Sequence, residues 1–276
     1  MRDNEVIMTV DTAEVEARLA LARALARDAG AVALSYLNAR ESLVVESKAN
    51  PQDVVSVADR RVEEALRARI AEAHPADGVL GEEYGLSEGT SGFTWVLDPI
   101  DGTSPFVNGM PSWCVSIAVL AGDEPVVGVI YAPCTDELYA AGKGQGATLN
   151  DAPVKVASGR SLRDGVVGLG ANHHVPPAEF AGVVERLLGM GGNFVRNGSG
   201  ALMLAYVAAG RLVGYYEPYM HAWDCLAGYC LVAEAGGALL PFPVADGALT
   251  RGAPVMAATP DVVADLRRIA GLPQLA

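Results

Sequence analysis

Apolar and polar positions alternate along the chain in patterns that predict helices and short strands. Ala, Leu and Val recur at helical spacing from about Thr12 to Asn38, and a second helical pattern begins near Asp59 and ends before Pro75. Between residues 113 and 156 the sequence pattern is typical of antiparallel β structure, with apolar runs separated by hairpin turns. The predicted strands and hairpins lie at residues 113–122, 124–133 and 136–156.

The second half of the chain alternates between strand and helix patterns. The predicted elements are a strand at 164–170, helices at 178–190 and 198–210, a strand at 212–217 and a helix at 222–237. We find no internal repeat and no long linker. The pattern predicts an α/β (α+β) protein whose halves, residues 1–150 and 151–276, pack as one unit.

Charge and hydropathy exclude several classes of partner. The chain of 276 residues carries 20 Lys and Arg against 33 Asp and Glu, a formal net charge of -13, which argues against a nucleic-acid partner. No apolar run reaches the roughly 18 residues of a membrane span, and the N-terminus lacks the apolar core of a signal peptide. We therefore expect a cytoplasmic protein with no membrane partner. The four cysteines form no CxxC pair and are expected to be buried free thiols.

The stretch WVLDPIDGTSPF, residues 95–106, places acids where a strand ends. Trp95 to Leu97 are typical of a buried strand, whereas the following Asp, Pro and Gly residues favour turns, so the strand is predicted to end at Leu97. Acids at the carboxyl edge of a strand lie where α/β proteins usually keep their chemistry. Gly102 permits close backbone approach and Thr103 can open a helix, which would direct N–H groups at a phosphate.

Acidic residues are concentrated in four segments: Asp53 and Asp59, Glu82 and Glu83, Asp98 and Asp101, and Asp224. Taken singly, each has an ordinary role as a helix cap, a turn residue or a solvated charge. Asp98 and Asp224, however, follow residues that are expected to be buried, with no Lys or Arg nearby in sequence, and a buried acid is costly unless it is paired or binds a metal. Oxygen ligands without His or Cys favour Mg²⁺.

Four segments together resemble the inositol monophosphatase family of Mg²⁺-dependent, lithium-sensitive phosphatases. They are GEE at 81–83, WVLDPIDGTSPF, HAWDCLAGYCLVAEAGG at 221–237, and KANPQDVVSVAD at 48–59, in which Ser56 replaces the family's threonine. The resemblance extends from about Val44 to Gly237. It implies a layered αβαβα sandwich and a homodimer.

The resemblance also implies roles for individual residues. Glu82, Asp98, Thr103 and the carbonyl of Ile100 would bind a first metal ion, and Asp98, Asp101 and Asp224 a second. A weaker third ion would be held by Glu82 through water, and Asp59 with Thr103 would orient the attacking water. The residues implied at the substrate are Asp101, Gly102, Thr103, Arg196, Ser199, Glu217 and Asp224.

Besides Ser56, two positions depart from the family pattern, and the stretch FVNGMPSW at 106–113 resembles histidinol-phosphate phosphatases of the same superfamily. Pro105 stands where a polar residue is usual, and Met203 where many bacterial relatives have Asp. Neither change removes a predicted metal ligand. Glu217 can also be interpreted as an exposed acid at a strand end, and the two interpretations are nearly balanced, with the functional one favoured because Asp224 is close in sequence.

The sequence therefore predicts an enzyme that hydrolyses a small polyol phosphate with two to three Mg²⁺ ions, with myo-inositol 1-phosphate as the leading substrate. The alternatives are histidinol phosphate and fructose 1,6-bisphosphate, with 3'-phosphoadenosine 5'-phosphate the least favoured. A catalytically silent regulatory or binding protein is a further alternative. It is disfavoured because every matched ligand is present.

Overall fold

The structure is a computed structural model, and it describes residues 10–39, 45–47, 54–244 and 248–274. Seven α-helices lie within these ranges: α1 (Thr12–Asn38), α2 (Val57–Ala73), α3 (Thr103–Val107), α4 (Pro177–Gly189), α5 (Gly200–Ala208), α6 (Ala222–Glu234) and α7 (Val263–Ala270). The side chain of Asp11 accepts a 3.0 Å hydrogen bond from the N–H of Ala13, which caps α1 at the predicted position. Helix α7 was not predicted from the sequence.

The same ranges contain fifteen short strands. They are β1 (Val45–Ser47), β2 (Val54–Ser56), β3 (Gly78–Gly81), β4 (Gly85–Ser87), β5 (Phe93–Asp101), β6 (Cys114–Ala121), β7 (Glu124–Ala132), β8 (Glu137–Gly142), β9 (Gly146–Leu149), β10 (Ala152–Val154), β11 (Val166–Leu169), β12 (Asn193–Val195), β13 (Gly214–Met220), β14 (Ala238–Leu239) and β15 (Ala253–Ala258). Strands β6 to β10 pair as consecutive antiparallel hairpins, as the turn residues predicted.

Two large sheets organise the fold. One has eight strands in the order β10-β9-β8-β7-β6-β5-β3-β4, and the other has five in the order β12-β11-β13-β15-β14. Strands β1 and β2 form a separate antiparallel pair. The eight-stranded sheet is antiparallel except where β3 runs parallel to β5, and β11 runs parallel to both of its neighbours. The carboxyl end of β5 carries Asp98, Ile100 and Asp101, and β13 carries Glu217.

Five layers follow from the way the helices cover these sheets. Helices α1 and α2 cover one face of the larger sheet, α5 and α6 lie between the sheets, and α4 and α7 cover the outer face of the smaller one. Successive residues of a strand pack into different hydrophobic cores on the two faces of the sheet. Trp95 and Val96 point to opposite faces at β5, as do Tyr215 and Tyr216 at β13. The predicted αβαβα sandwich is confirmed.

The prediction that the strand ends at Leu97 is wrong. Strand β5 continues to Asp101, and its register against β6 shifts between the pairs Asp98 with Ser116 and Asp101 with Cys114, so that one extra residue is accommodated. Pro99 lies in this bulge, where its missing N–H does not interrupt a regular ladder of hydrogen bonds. The bulge keeps Asp98 and Asp101 at the carboxyl end of β5.

The cysteine prediction is only partly correct. All four cysteines are free, and Cys114, Cys225 and Cys230 are buried as expected, but Cys134 is half-buried and the thiol of Cys114 lies 3.7 Å from a carboxylate oxygen of Asp101. The surroundings of Cys114 are therefore polar rather than apolar. Among the described residues, no helix has both the length and the apolar character that a bilayer crossing requires.

Candidate active site

A polar cleft of about 240 Å³ is lined by residues of both large sheets. Strands β5 and β13 and the first turns of α3, α5 and α6 contribute to its walls. Of the predicted site residues, Asp59 lies behind the cleft and the others line it. Those others are Glu82, Asp98, Ile100, Asp101, Gly102, Thr103, Arg196, Ser199, Glu217 and Asp224.

Three aspartates converge in this cleft. One ligand atom from each of Asp98, Asp101 and Asp224 lies within 4.8 Å of the others, a spacing that could hold a metal ion. The side chains of Asp98 and Asp101 come from the bulged end of β5 and are buried, whereas that of Asp224, in the first turn of α6, is 24% exposed. Asp224 also accepts a 2.9 Å hydrogen bond from the N–H of His221, so the helix-cap interpretation is correct as well.

The charges in this cluster favour a cation. Burial raises the pKa of Asp98 well above its ordinary value, and the nearby carboxylates of Glu82, Asp101 and Asp224 raise it further. Burial and the carboxylates of Asp101 and Glu82 likewise raise the pKa of Asp224. Because like charges at this spacing are costly to ionise together, the site is suited to an ion that neutralises them.

Asp101 is oriented by residues of the second half of the chain. Its Oδ2 accepts a hydrogen bond from the hydroxyl of Ser199 and a 2.8 Å hydrogen bond from the N–H of Ala201. Burial raises the pKa of Asp101, and these hydrogen bonds oppose that rise. On the other side of the bulge, Oδ1 of Asp98 accepts a 3.0 Å hydrogen bond from the N–H of Ile100. Both carboxylates are therefore held in fixed directions.

Asp59 and Thr103 lie next to each other, as the resemblance implied. Asp59 is fully buried in the first turn of α2, and the hydroxyl of Thr103 lies 3.4 Å from its Oδ1 and 3.2 Å from the carbonyl oxygen of Ile100. The hydroxyl of Thr103 can therefore link a group bound in the cleft to the buried carboxylate of Asp59 by hydrogen bonds. The first half of the matched segment KANPQDVVSVAD, residues 48–53 with Asp53, lies outside the described residues.

Glu82 follows β3, and the turn after it is held by a residue that the sequence did not indicate. The buried carboxylate of Glu63 accepts hydrogen bonds of 2.8 Å from the N–H of Glu83 and 3.2 Å from that of Tyr84. Arg67 donates a further 2.8 Å hydrogen bond to Glu63. Glu63 lies one helical turn after Asp59, a spacing that could have indicated a shared helix face.

Gly102 has the backbone geometry that the turn requires. Its φ of 94° is in the left-handed region, and a Cβ at this position would lie 3.0 Å from the carbonyl oxygen of Ser112. The α3 helix begins at the next residue, Thr103, so the predicted helix start is correct. A side chain at residue 102 would therefore be both strained and crowded.

Glu217 is not the exposed acid of the alternative interpretation. Its side chain is buried in β13, where Tyr215 donates to Oε2 and Asn172 donates a 3.0 Å hydrogen bond to Oε1. Burial raises the pKa of Glu217 to about 7. Sequence reasoning missed both partners, although the two-residue spacing of Tyr215 and Glu217 places them on one face of a strand. Arg196 is exposed and donates a 3.0 Å hydrogen bond to the carbonyl of Ala171.

The two departures from the family pattern occupy different places. Met203 is buried in α5 and lines the cleft, so it changes the wall of the pocket. Pro105 is buried in α3 and packs toward Gly198, where a Cβ would lie 2.7 Å from its ring. Neither residue is one of the three clustered aspartates.

A family model, similar sequences and similar structures all relate the chain to inositol monophosphatases. The sequence model of the inositol monophosphatase family matches residues 14–268. The chain is 39% identical over 226 residues to an inositol-1-monophosphatase of Rhizobium meliloti, covering 81% of this chain and 82% of that protein. It is 40% identical over 223 residues to the Nus factor SuhB of Xylella fastidiosa, covering 80% of each. The structure of an inositol monophosphatase from Anabaena superposes with a TM-score of 0.79 at 31% identity, covering 95% of this chain and 98% of that one. The chain belongs to the inositol monophosphatase family of phosphatases.

Proposed function

We propose that the protein is a Mg²⁺-dependent phosphomonoesterase that acts on a small polyol phosphate, with myo-inositol 1-phosphate as the leading substrate. The observation that carries the proposal is the convergence of Asp98, Asp101 and Asp224 beside the Asp59 and Thr103 pair. A cation-binding cluster next to a carboxylate and hydroxyl pair is the arrangement that phosphate-ester hydrolysis by water needs.

The oxygen-only character of the cluster supports Mg²⁺ as the ion. Glu82, Asp98, Thr103 and the carbonyl of Ile100 would hold a first ion, Asp98, Asp101 and Asp224 a second, and Glu82 a weaker third through water. When bound, the ions would activate water and stabilise the charge that develops on the phosphate and the leaving oxygen. The raised pKa values of Asp98 and Asp224 are consistent with acids that need a cation in order to ionise.

The protein's own residues would position the reactants. Asp59, through the hydroxyl of Thr103, would orient the attacking water and accept its proton. The backbone N–H groups at Gly102 and Thr103 would bind the phosphate at the start of α3. Asp101 and Asp224 would also contact the substrate.

The remainder of the cleft is suited to an uncharged polyol. Glu217 can accept hydrogen bonds from substrate hydroxyls, and Ser199 and Arg196 also line the cleft. Arg196 is the one Lys or Arg among the described residues that line the cleft, beside five acidic residues. A second phosphate would meet one cationic side chain, Arg196, among five acids, which favours a monophosphate over fructose 1,6-bisphosphate.

Two alternatives are distinguished by specific features. Histidinol phosphate carries an ammonium group that the acidic cleft could also accept, so only measured selectivity separates it from a polyol. A non-catalytic role is suggested by relatives whose names describe a Nus factor. The complete set of carboxylates favours catalysis, because a protein that only binds a partner has no need for clustered buried acids.

The test is phosphate release from a panel of esters with and without Mg²⁺ and Li⁺. The panel contains myo-inositol 1-phosphate, histidinol phosphate, fructose 1,6-bisphosphate and 3'-phosphoadenosine 5'-phosphate. Turnover that requires Mg²⁺, is inhibited by Li⁺ and is highest for the inositol ester would support the proposal. Preference for another ester would change the substrate, and absence of Mg²⁺-dependent turnover on all four would overturn the enzymatic proposal.

The family resemblance also supports a homodimer. Light scattering coupled to size-exclusion chromatography would give twice the 28.6 kDa chain mass for that state. A mass of one chain at all concentrations would contradict it.

A further inference from the structure

The loop between β12 and α5 packs against the turn at Gly102. A Cβ at residue 102 would lie 3.1 Å from the Cβ of Ser199 and 3.3 Å from the carbonyl oxygen of Gly198. The hydroxyl of Ser112 also donates a 2.8 Å hydrogen bond to the carbonyl oxygen of Asn197. These three loop residues all line the cleft, so the loop is fixed beside the turn that is proposed to bind the phosphate.

Only one end of the Asn197 side-chain amide is used by the fold. Its Oδ1 accepts a 2.9 Å hydrogen bond from the N–H of Ser199, the N-cap residue of α5. Its Nδ2 is buried, and no described residue accepts a hydrogen bond from it. A flipped amide would direct its NH₂ at the N–H of Ser199, so this contact defines which end is the oxygen. A buried donor is therefore left without an acceptor.

Support of the loop gives no reason for the NH₂ group of Asn197. A Ser or Thr side chain favours the same kind of turn and would not bury an amide donor. A buried polar group without a hydrogen bond costs free energy, because it has lost its water and gained no partner. An acceptor supplied by a ligand would remove this cost. A donor retained at the wall of the cleft therefore points to a ligand oxygen.

An uncharged donor suits this part of the cleft. The clustered carboxylates of Asp98, Asp101 and Asp224 would hold cations next to the phosphate, and a Lys or Arg at the same phosphate would repel those ions. An amide N–H can donate to a phosphate oxygen without adding charge. The turn at Gly102 and Thr103 would supply backbone N–H groups, and a side-chain amide would add a further neutral donor.

We infer that Asn197 is a substrate-binding residue whose Nδ2 donates a hydrogen bond to an oxygen of the substrate's phosphate group. The packing of its loop on Gly102 places it beside the phosphate turn, and a small rotation of the side chain on binding would bring Nδ2 to the phosphate. The product, inorganic phosphate, would accept from the same donor. This inference rests on the proposed function and deepens it, because it adds a side chain that recognises the phosphate whatever the alcohol part is.

The test is the binding of inorganic phosphate at saturating Mg²⁺, measured by isothermal titration calorimetry, which does not require turnover. Asn197→Ala removes the donor and the acceptor, whereas Asn197→Asp keeps an acceptor for the N–H of Ser199 and has no donor. We expect the Kd for phosphate to rise about tenfold in Asn197→Ala. It should rise further in Asn197→Asp, where the carboxylate also repels the phosphate.

Asn193 provides the matched control. It is exposed at the start of β12, outside the cleft, so Asn193→Ala and Asn193→Asp make the same changes of group and charge away from the site. Both control variants should keep the wild-type Kd for phosphate. Thermal unfolding of the metal-free protein measures the support of the loop separately, and Asn197→Asp should keep a higher midpoint than Asn197→Ala.

The outcomes separate this inference from the proposed function. A wild-type Kd in Asn197→Ala would overturn the inference, as would a Kd that rises in Asn197→Ala and returns to the wild-type value in Asn197→Asp, because Oδ1 alone would then explain the effect. If Asn197→Ala does not fold, an unchanged Kd in Asn197→Asp overturns it. Wild-type protein that hydrolyses no ester would overturn the proposed function, while the phosphate titration still decides the role of Asn197.

Discussion

The backbone N–H of Ala201 donates a 2.8 Å hydrogen bond to Oδ2 of Asp101, although the two residues are 100 positions apart. Ser199 donates to the same oxygen and also accepts a 3.3 Å hydrogen bond from the N–H of Leu202 as the N-cap of α5. The start of α5 therefore holds a clustered aspartate of β5 in place. This contact couples the geometry of the acidic cluster to the packing of the smaller sheet's helices.

Ser199→Ala should weaken both the fold and the metal site. The substitution removes the helix cap and one donor to Asp101, and we expect a loss of about 1 kcal/mol in the free energy of unfolding. The midpoint of a Mg²⁺ titration, followed by thermal unfolding, should rise. Asp11→Ala removes the cap of α1 and serves as the control, since it should lower stability without moving that midpoint.

Glu63→Gln should loosen the turn that carries Glu82. An amide has one acceptor oxygen for the N–H groups of Glu83 and Tyr84 and places an NH₂ near Arg67, so we expect a loss of about 1 to 3 kcal/mol in unfolding free energy. Urea unfolding measures it. Glu72, near the end of the same helix, is exposed, and Glu72→Gln should leave the urea midpoint unchanged. Equal effects of the two substitutions would contradict the role assigned to Glu63.

Asp98→Asn should abolish Mg²⁺-dependent phosphate release without unfolding the protein. The substitution removes a ligand from the centre of the cluster and also removes one buried like charge. Metal-free thermal stability should therefore be kept or increased, while the stabilisation by Mg²⁺ is lost. Asp123→Asn, in the exposed turn between β6 and β7, is the control. Undiminished turnover in Asp98→Asn would remove the metal assignment.

Thr103→Val should test the proposed orientation of water. Valine keeps the shape of the side chain but has no hydroxyl to bond Asp59, and we expect kcat to fall by about 10² to 10⁴. Thr103→Ser keeps the hydroxyl and should recover most of this loss. Single-turnover phosphate release at saturating substrate separates the chemical step from binding. Similar rates for the valine and serine variants would argue against a role for the hydroxyl.

Metal-free protein should lose stability as pH rises. The folded pKa of Glu217 is raised from 4.5 to about 7, and the pKa values of Asp98, Asp101 and Asp224 are also raised. The folded state therefore binds more protons than the unfolded state in this range, so the free energy of unfolding falls as pH increases. Urea unfolding in a chelator at about pH 5.5 and about pH 7.5 measures the change. Added Mg²⁺ should stabilise more at the higher pH, because protons and the ion compete for the same oxygens.

Three acids with lowered pKa values, Glu64, Asp77 and Glu137, do not reverse this expectation. Burial raises the pKa of Asp77, but hydrogen bonds, first from Arg18, lower it overall, and the hydrogen bond from Arg211 lowers that of Glu137. Their stabilising contributions are present above the unfolded pKa and are lost only as pH falls below it, so they are nearly constant between these two conditions. In Glu217→Gln, the free energy of unfolding of the metal-free protein should change less with pH. An unchanged slope in that variant would contradict the raised pKa of Glu217.

The sequence by itself determined the elements whose signals are local. Periodicity and caps defined α1 and α2, hairpin turns defined β6 to β10, and the acid-rich motif at 98–103 predicted the site and the family. These predictions succeed because helix periodicity, turn chemistry and motif spacing involve residues within a few positions of one another. All of the predicted site residues except Asp59 line one cleft.

The tertiary structure decided what depends on distant segments. The bulge that extends β5 through Pro99 requires β6 as a partner, and the burial of Glu217 depends on Asn172, which is 45 positions away. Glu63 contacts a turn 20 positions along the chain. Burial, hydrogen-bond partners and pKa values are properties of packed neighbours, and one sequence carries no local signal for which distant residues those neighbours are.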